Sequence, residues 1–382
     1  MVISRFLVIL FLLSQLPLKA QVETGAEQTA QYFPMLKGKT IGVVVNPTSR
    51  IKNRHLVDSL IAAGINIKTI FAPEHGFRGE AEAGGIIKNG LDSATRLPVT
   101  SLYGNKKKPA AADLKGLDYI VFDIQDVGAR FYTYISTLHY VMEACAENKV
   151  NLIVLDRPNP NGSYVDGPIL DTAYRSFVGM HPVPVVHGMT IGEYARMING
   201  EKWLHKGVQC KLTVVNCKNY THDTPYNLPV KPSPNLPTME SVYLYPSLCF
   251  FEGTEISVGR GTDKPFELIG RPGFDKGNYE FTPKRIPGVA ENPPYEGKPC
   301  KGILLSDFGR SFMPIHKNLY MVWLVDFYKE SADKDKFFTD FFDKLAGGDT
   351  LRKQIIAGKT PDEITKSWEP GLEAFKKTRE KY

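Results

Sequence analysis

From Lys39 onward, short β-branched runs alternate with stretches of helical spacing. Ile41-Gly42-Val43-Val44-Val45, residues 65–71 and 97–102, Tyr119-Ile120-Val121-Phe122 and Leu152-Ile153-Val154-Leu155 read as strands; residues 55–63, 110–114 and 134–147 read as the helices between them. A strand without polar alternation is buried on both faces, which is the pattern of a parallel sheet covered by helices. Further on the texture changes. A helix is predicted over 190–198 and a strand over 210–215, followed by a stretch rich in Pro and Asn, 225–237, with no periodicity. The lobe boundary is placed there, near Asn235. Residues 240–299 read as short strands and loops rich in Gly and Pro. Helices return at 316–329, 336–345 and 364–377, the last announced by Thr360-Pro361-Asp362-Glu363, a capping box with Pro at the first helical position. The predicted architecture is an α/β, Rossmann-like parallel-sheet lobe over residues 21–235, followed by a smaller α+β C-terminal lobe over 236–382.

The 382 residues are 42% hydrophobic and 23% charged, which excludes disordered and fibrous classes and allows two lobes, since single cores stop growing near roughly 250–300 residues. Lys plus Arg is 47 against 41 Asp plus Glu, with the signs interspersed, so nucleic acid is not an expected partner. Residues 1–20 carry Arg5, an apolar run over 6–13 broken by Ser14, Gln15 and Pro17, and Ala20 before Gln21. This reads as a secretory signal peptide, too short for the span of about 20 apolar residues that a membrane helix needs. Its removal takes Arg5 and Lys19 away and lowers the net charge from +6 to +4. The mature protein is expected to be secreted, into a periplasm, with no stable membrane anchor. Five cysteines with no CxxC pair point away from zinc and from a dense disulfide framework. Cys210 and Cys217, on opposite faces of a predicted strand, are not expected to bridge.

In open parallel sheets, ligands bind beyond the carboxyl ends of the strands. Those ends carry Asn46-Pro47-Thr48, then Pro73-Glu74-His75-Gly76-Phe77-Arg78-Gly79, then Asp123-Ile124-Gln125-Asp126-Val127-Gly128-Ala129-Arg130-Phe131-Tyr132, and Asp156-Arg157-Pro158-Asn159. Three of the four combine an acid with an arginine, so a shared polar rim is expected. Asp at such turns is also a common N-cap, arginines balance acids, and Tyr132 and Tyr134 suit a core equally well. A second group comes from the middle of the chain: His187, the loop through Asn235, Glu252, Glu255, Arg260 and Glu267. Strand alternation would turn at most one of Glu252 and Glu255 to the cleft. No GxGxxG follows the first strand, and no P-loop, GxSxG or HExxH occurs, so no cofactor is expected. Glu74, His75, Asp123, Asp126 and His187 could be assembled as metal ligands, but their spacing matches no standard site, and no metal is expected.

These strand-end segments, together with Glu252-Gly253-Thr254 and Gly259-Arg260-Gly261-Thr262, closely resemble the DUF1343 family from about residue 36 to the C-terminus. Its characterised members are exo-β-N-acetylmuramidases of the NamZ type. The resemblance implies removal of terminal β-linked N-acetylmuramic acid from the non-reducing end of peptidoglycan-derived disaccharides or muropeptides, at a site between the two lobes. It also implies Glu74 as the catalytic glutamate. Glycoside hydrolysis needs an acid for the leaving oxygen and a second group for the oxocarbenium-like centre. Asp123 or Asp126 is the expected second carboxylate, although the 2-acetamido group of the substrate could itself serve. The expected substrate contacts are Asn46, His75, Arg78, Arg130, Tyr132, Arg157, His187, Asn235, Glu252 and Arg260. At least two of Arg78, Arg130, Arg157 and Arg260 should meet at the anionic lactyl ether. The alternative is a non-catalytic periplasmic binding protein for cell-wall saccharides.

Overall fold

The structure, a computed structural model, describes residues 21–74, 76–78 and 90–382. The predicted leader over 1–20, His75 and Gly79 lie outside the described residues. In chain order the first lobe contains β1 (Thr40–Val45), a hairpin of β2 (Arg50–Ile51) and β3 (Arg54–His55), then β4 (Asn66–Ala72), β5 (Gly90–Leu91), β6 (Pro98–Ser101), β7 (Tyr119–Asp123), β8 (Asn151–Leu155) and β9 (Leu212–Val215). The main sheet has the order β5-β6-β4-β1-β7-β8-β9, and every pair is parallel except β5 with β6. The chain builds outward from β1 to one side and then returns to the other, so the strand order reverses between β1 and β7. That is where such sheets open a crevice.

The apolar runs explain the layering. Val44, Phe122 and Val154 face one apolar cluster, while Val43, Val45, Val121 and Ile153 face another, so both faces are sealed as predicted. On the first face lies the helix Tyr134–Asn148, which buries Ile135, Leu138, Val141 and Met142, each worth roughly 1.5–3 kcal/mol of transfer free energy. The helix Ile191–Gly200 packs beside it, started by a reciprocal Thr190–Glu193 capping box. The opposite face is covered by the helices Thr29–Leu36 and Leu56–Ala62 through Tyr32, Leu36, Leu56 and Leu60.

The smaller lobe contains the helix Met239–Leu248, a tight turn over Cys249–Gly253, and an antiparallel sheet of β10 (Leu268–Arg271), β11 (Tyr279–Phe281) and β12 (Cys300–Leu304) in the order β10-β12-β11. A reading of residues 240–299 as strands and loops misses Met239–Leu248, because Pro246 sits inside the helix and mimics a breaker. The predicted helix 316–329 is Val322–Glu330, preceded by the short Met313–His316. The one predicted over 336–345 divides into Lys334–Phe337 and Phe342–Ala346, and the one over 364–377 into Pro361–Lys366 and Glu369–Arg379. In the last case Pro370 opens a new helix. The capping box at Thr360 forms as predicted.

The two lobes share one apolar cluster, to which Phe250, Phe251, Phe266 and Phe342 belong together with Phe122 and Leu138. Arg130 reinforces the junction from inside. Fully buried, it donates from Nη1 to the carbonyls of Pro168 and Val183, and from Nη2 to those of Leu345 and Ala346 in the smaller lobe, at 2.7–2.9 Å. All five cysteines are free.

Candidate active site

Three strand ends deliver their side chains to one place. Pro73 stops β4 and sets Glu74 at the sheet edge; Tyr103 follows β6; the segment after β7 returns Tyr132 and Thr133 at the start of the helix Tyr134–Asn148. Glu74, Tyr132 and Thr133 line a cavity of about 170 Å³ that Asn235, Tyr245, Glu252, Arg260 and Phe266 close from the other lobe. The Thr133 hydroxyl donates to Glu74 Oε2 at 3.4 Å, and the Tyr134 hydroxyl donates to the Glu74 carbonyl at 3.3 Å. Burial pushes the Tyr103 phenol up to about 12, and the nearby Glu74 carboxylate adds to the effect. Tyr103 was missed by sequence reasoning, although the rule that found Glu74 applies one strand further out.

Glu252 comes from the tight turn Cys249–Gly253 and not from a strand, so alternation does not govern where it points. The result is nonetheless one glutamate at the cavity: Glu255 pairs instead with Arg271 at 3.6 Å and accepts from Ser331. Arg260 Nε donates to Glu252 Oε1, and the guanidinium lies over the Phe266 ring at 5.1 Å. Burial works to lower the pKa of Arg260, but the adjacent Glu252 outweighs it and holds the guanidinium above its ordinary value. Its two terminal nitrogens have no hydrogen-bond partner among the described residues. The Cys249 thiol reaches Glu252 Oε2 at 3.7 Å. Asn235 is buried, donates to the Val289 carbonyl at 2.9 Å, and among the described residues leaves its Oδ1 without a partner at the cavity wall. Tyr132 donates to the Pro232 carbonyl at 2.7 Å and packs edge-to-face with Tyr134 and Tyr245, forming an aromatic floor.

The other predicted residues stand elsewhere. Asp123 is fully buried and takes two hydrogen bonds from Arg157, at 2.6 and 2.9 Å, so the pair is structural in its contacts and neither member lines the cavity. Burial raises the pKa of Asp123, and Arg157 offsets part of that rise. On its outer side Arg157 borders a separate groove of about 470 Å³ that it shares with Arg50 and Tyr226. Asp126 is buried, accepts from the Gly128 amide at 2.7 Å and lies 3.6 Å from His187 Nε2, again away from the cavity. Gly128 is required there, with φ of +78° and Asn159 Oδ1 where a Cβ would be. Asn46 is turned to Thr48 in its own loop. Arg78 pairs with Asp58 at 2.7 Å and Asp92 at 3.0 Å, and Arg130 is committed to carbonyls. The shared rim of acids and arginines therefore does not form: of the four arginines only Arg260 reaches the cavity. Asp123 and Arg157 neutralise each other within the sheet edge instead, Arg130 is taken up by carbonyls, and Arg78 by two aspartates outside the strand ends. Among the described residues no cluster of three metal-ligating side chains occurs, and no helix is long and apolar enough to cross a membrane.

Two glutamates from different lobes meeting in one aromatic-floored polar cavity define a two-lobed α/β protein of the glycoside-hydrolase kind. Comparison with known proteins makes this specific: the chain belongs to the exo-β-N-acetylmuramidase NamZ family, whose N-terminal model matches residues 41–240 and whose C-terminal model matches residues 243–382. It is 42% identical to the peptidoglycan β-N-acetylmuramidase NamZ of Bacillus subtilis (strain 168), over 95% of this chain and 91% of that one. Two crystal structures of DUF1343 family proteins from Bacteroides fragilis share the fold. One is 48% identical with a TM-score of 0.88 over 95% of this chain and 98% of that one; the other is 29% identical with a TM-score of 0.78 over 94% and 98%.

Proposed function

We infer that this protein is an exo-acting glycoside hydrolase that releases terminal β-linked N-acetylmuramic acid from the non-reducing end of peptidoglycan fragments. The observation that carries the reading is the cavity between the lobes, with Glu74 on one side and the Glu252–Arg260 pair contributed by the other. At about 170 Å³ it lies below the usual range for drug-sized ligands and suits a single terminal sugar better than the interior of a polymer. Glu74 is the acid that protonates the leaving oxygen. Arg260 offers its two open guanidinium nitrogens to the lactyl carboxylate, a bidentate match, and Asn235 Oδ1 accepts from a sugar hydroxyl. The aromatic floor of Tyr132 and Tyr245 carries the apolar face of the ring. Residues 1–20 act as the leader that exports the protein to the periplasm, and the lobes divide at Asn235, within the site itself.

The test is direct. Purified protein incubated with the disaccharide MurNAc-GlcNAc is expected to release free N-acetylmuramic acid, with or without EDTA. Binding of the disaccharide without its consumption would contradict the reading and favour a saccharide-binding protein, and EDTA-sensitive turnover would point to a metal-assisted route.

A further inference from the structure

Resting on that reading, we propose that Glu252 is the group that holds the substrate's own 2-acetamido for attack on the anomeric carbon, so that the hydrolysis is substrate-assisted. Glu74 and Glu252 are the carboxylates that line the cavity among the described residues, and their surroundings differ. Glu74 has hydroxyls around it, those of Thr133 and Tyr103, and no ion pair among the described residues. Glu252 is ion-paired through Oε1 to the Nε of Arg260, while Oε2 has the Cys249 thiol at 3.7 Å. A carboxylate paired with a guanidinium is held ionised and is weakened as a base for water. It still accepts a hydrogen bond from an amide N–H, and it still stabilises a positive charge that develops next to it.

The order of groups fits the order of substituents on the sugar. Muramic acid carries the glycosidic oxygen on C1, the acetamido group on C2 and the lactyl ether on C3. With the open nitrogens of Arg260 on the lactyl carboxylate, the glutamate attached to the same guanidinium falls one substituent away, at the acetamido N–H, and Glu74 serves the leaving oxygen at C1. One rigid ion pair thereby reads two adjacent substituents and fixes the ring relative to the acid.

The chemistry balances. The acetamido carbonyl oxygen forms a bond to C1 as the bond from C1 to the leaving sugar breaks, and Glu74 gives its proton to the departing oxygen. Positive charge appears on the oxazolinium ring, whose N–H stays hydrogen-bonded to Glu252. Water then adds to C1 and yields a proton to Glu74; the ring opens and the acetamide is restored. One water is consumed, and two inversions at C1 leave the product with its original β configuration.

The experiment compares the unmodified protein on an aryl β-N-acetylmuramide and on the same compound with a trifluoroacetyl group on nitrogen, whose carbonyl oxygen is a weaker nucleophile. The proposal predicts that the fluorinated compound is cleaved at least about tenfold more slowly in kcat, and that proton NMR sees β-muramic acid form first. It also predicts that Glu252→Gln lowers kcat by roughly 10²-fold while KM changes little. Equal rates on the two compounds, or an α product formed first, would overturn it. Those outcomes leave the muramidase reading intact, whereas absence of turnover on the acetylated compound would overturn both. The substrate comparison needs no variant, so it stands even where Glu252→Gln fails to fold.

Discussion

Asp123 with Arg157, and Glu252 with Arg260, are the same chemical pair placed in two environments. The first is buried beneath the sheet edge with both carboxylate oxygens taken up by the guanidinium. The second stands at the cavity, with Arg260 Nε engaged and its terminal nitrogens open among the described residues. A buried pair is a structural commitment, because removing one partner strands the other charge in a low-dielectric interior. A pair at a cavity wall can lend its free edges to a ligand while remaining neutral overall. Residue type alone does not separate the two cases; burial and leftover hydrogen-bonding capacity do.

The sharpest way to break this contrast is Arg157→Leu, which leaves Asp123 buried and unpaired. It is expected to cost about 3–5 kcal/mol of unfolding free energy in urea titrations. A loss within about 0.5 kcal/mol, the range of ordinary surface substitutions, would place the pair with exposed salt bridges. Somewhat smaller is an effect of acid on the same lobe. His139 and His181 share a 2.9 Å contact between ring nitrogens, and His181 contacts the Tyr194 hydroxyl at 3.0 Å. Burial lowers the pKa of His139 from 6.5 to about 4, with Glu143 opposing, and burial lowers His181 as well. The unfolded chain therefore takes up protons between pH 6.5 and 4 that the folded one refuses, and stability falls as pH drops through that window. Asp156, raised by burial to about 6, acts with the opposite sign in the lower part of the range. His139→Gln is expected to flatten the acid limb by about 3 kcal/mol between pH 6.5 and 4, and an unchanged slope in pH-dependent denaturation would remove His139 from the account. Smallest is Arg260→Lys, which keeps the charge and loses the fork. It should lower kcat/KM on a muramide roughly tenfold, while leaving the ratio of folded to unfolded protein nearly unchanged. Equal losses on a substrate lacking the lactyl group would detach Arg260 from lactyl recognition.

The same contrast explains how far the sequence could be read. The sheet was legible because Ile41 to Val45, Tyr119 to Phe122 and Leu152 to Leu155 are apolar without interruption, and only a sheet covered on both faces buries them. Glu74 was legible because strand ends are where such folds gather chemistry. Asp123, Asp126 and Arg157 satisfy the same rule and do not reach the cavity, since the rule says where a side chain starts and not whether a neighbour will claim it. Arg130 shows this most plainly: with no acid paired to it among the described residues, it is held by four backbone carbonyls that sequence gives no means of counting. Tyr245 and Phe266 went unread because the helix carrying Tyr245 contains Pro246, and because Phe266 sits in a left-handed conformation, φ of +57°, within a stretch that looked like loop. Glu252 was named for substrate contact from its motif, but its ion pair with Arg260 needed the folded turn.

The central claim is that Glu74 protonates the leaving oxygen of a sugar held between the lobes, and the most direct test is the rate at which Glu74→Gln hydrolyses MurNAc-GlcNAc. The account predicts a fall of roughly 10²- to 10⁴-fold at an unchanged melting temperature, with partial recovery on an aryl muramide whose leaving group needs no proton. A variant that cleaves the disaccharide as fast as the parent protein would contradict it.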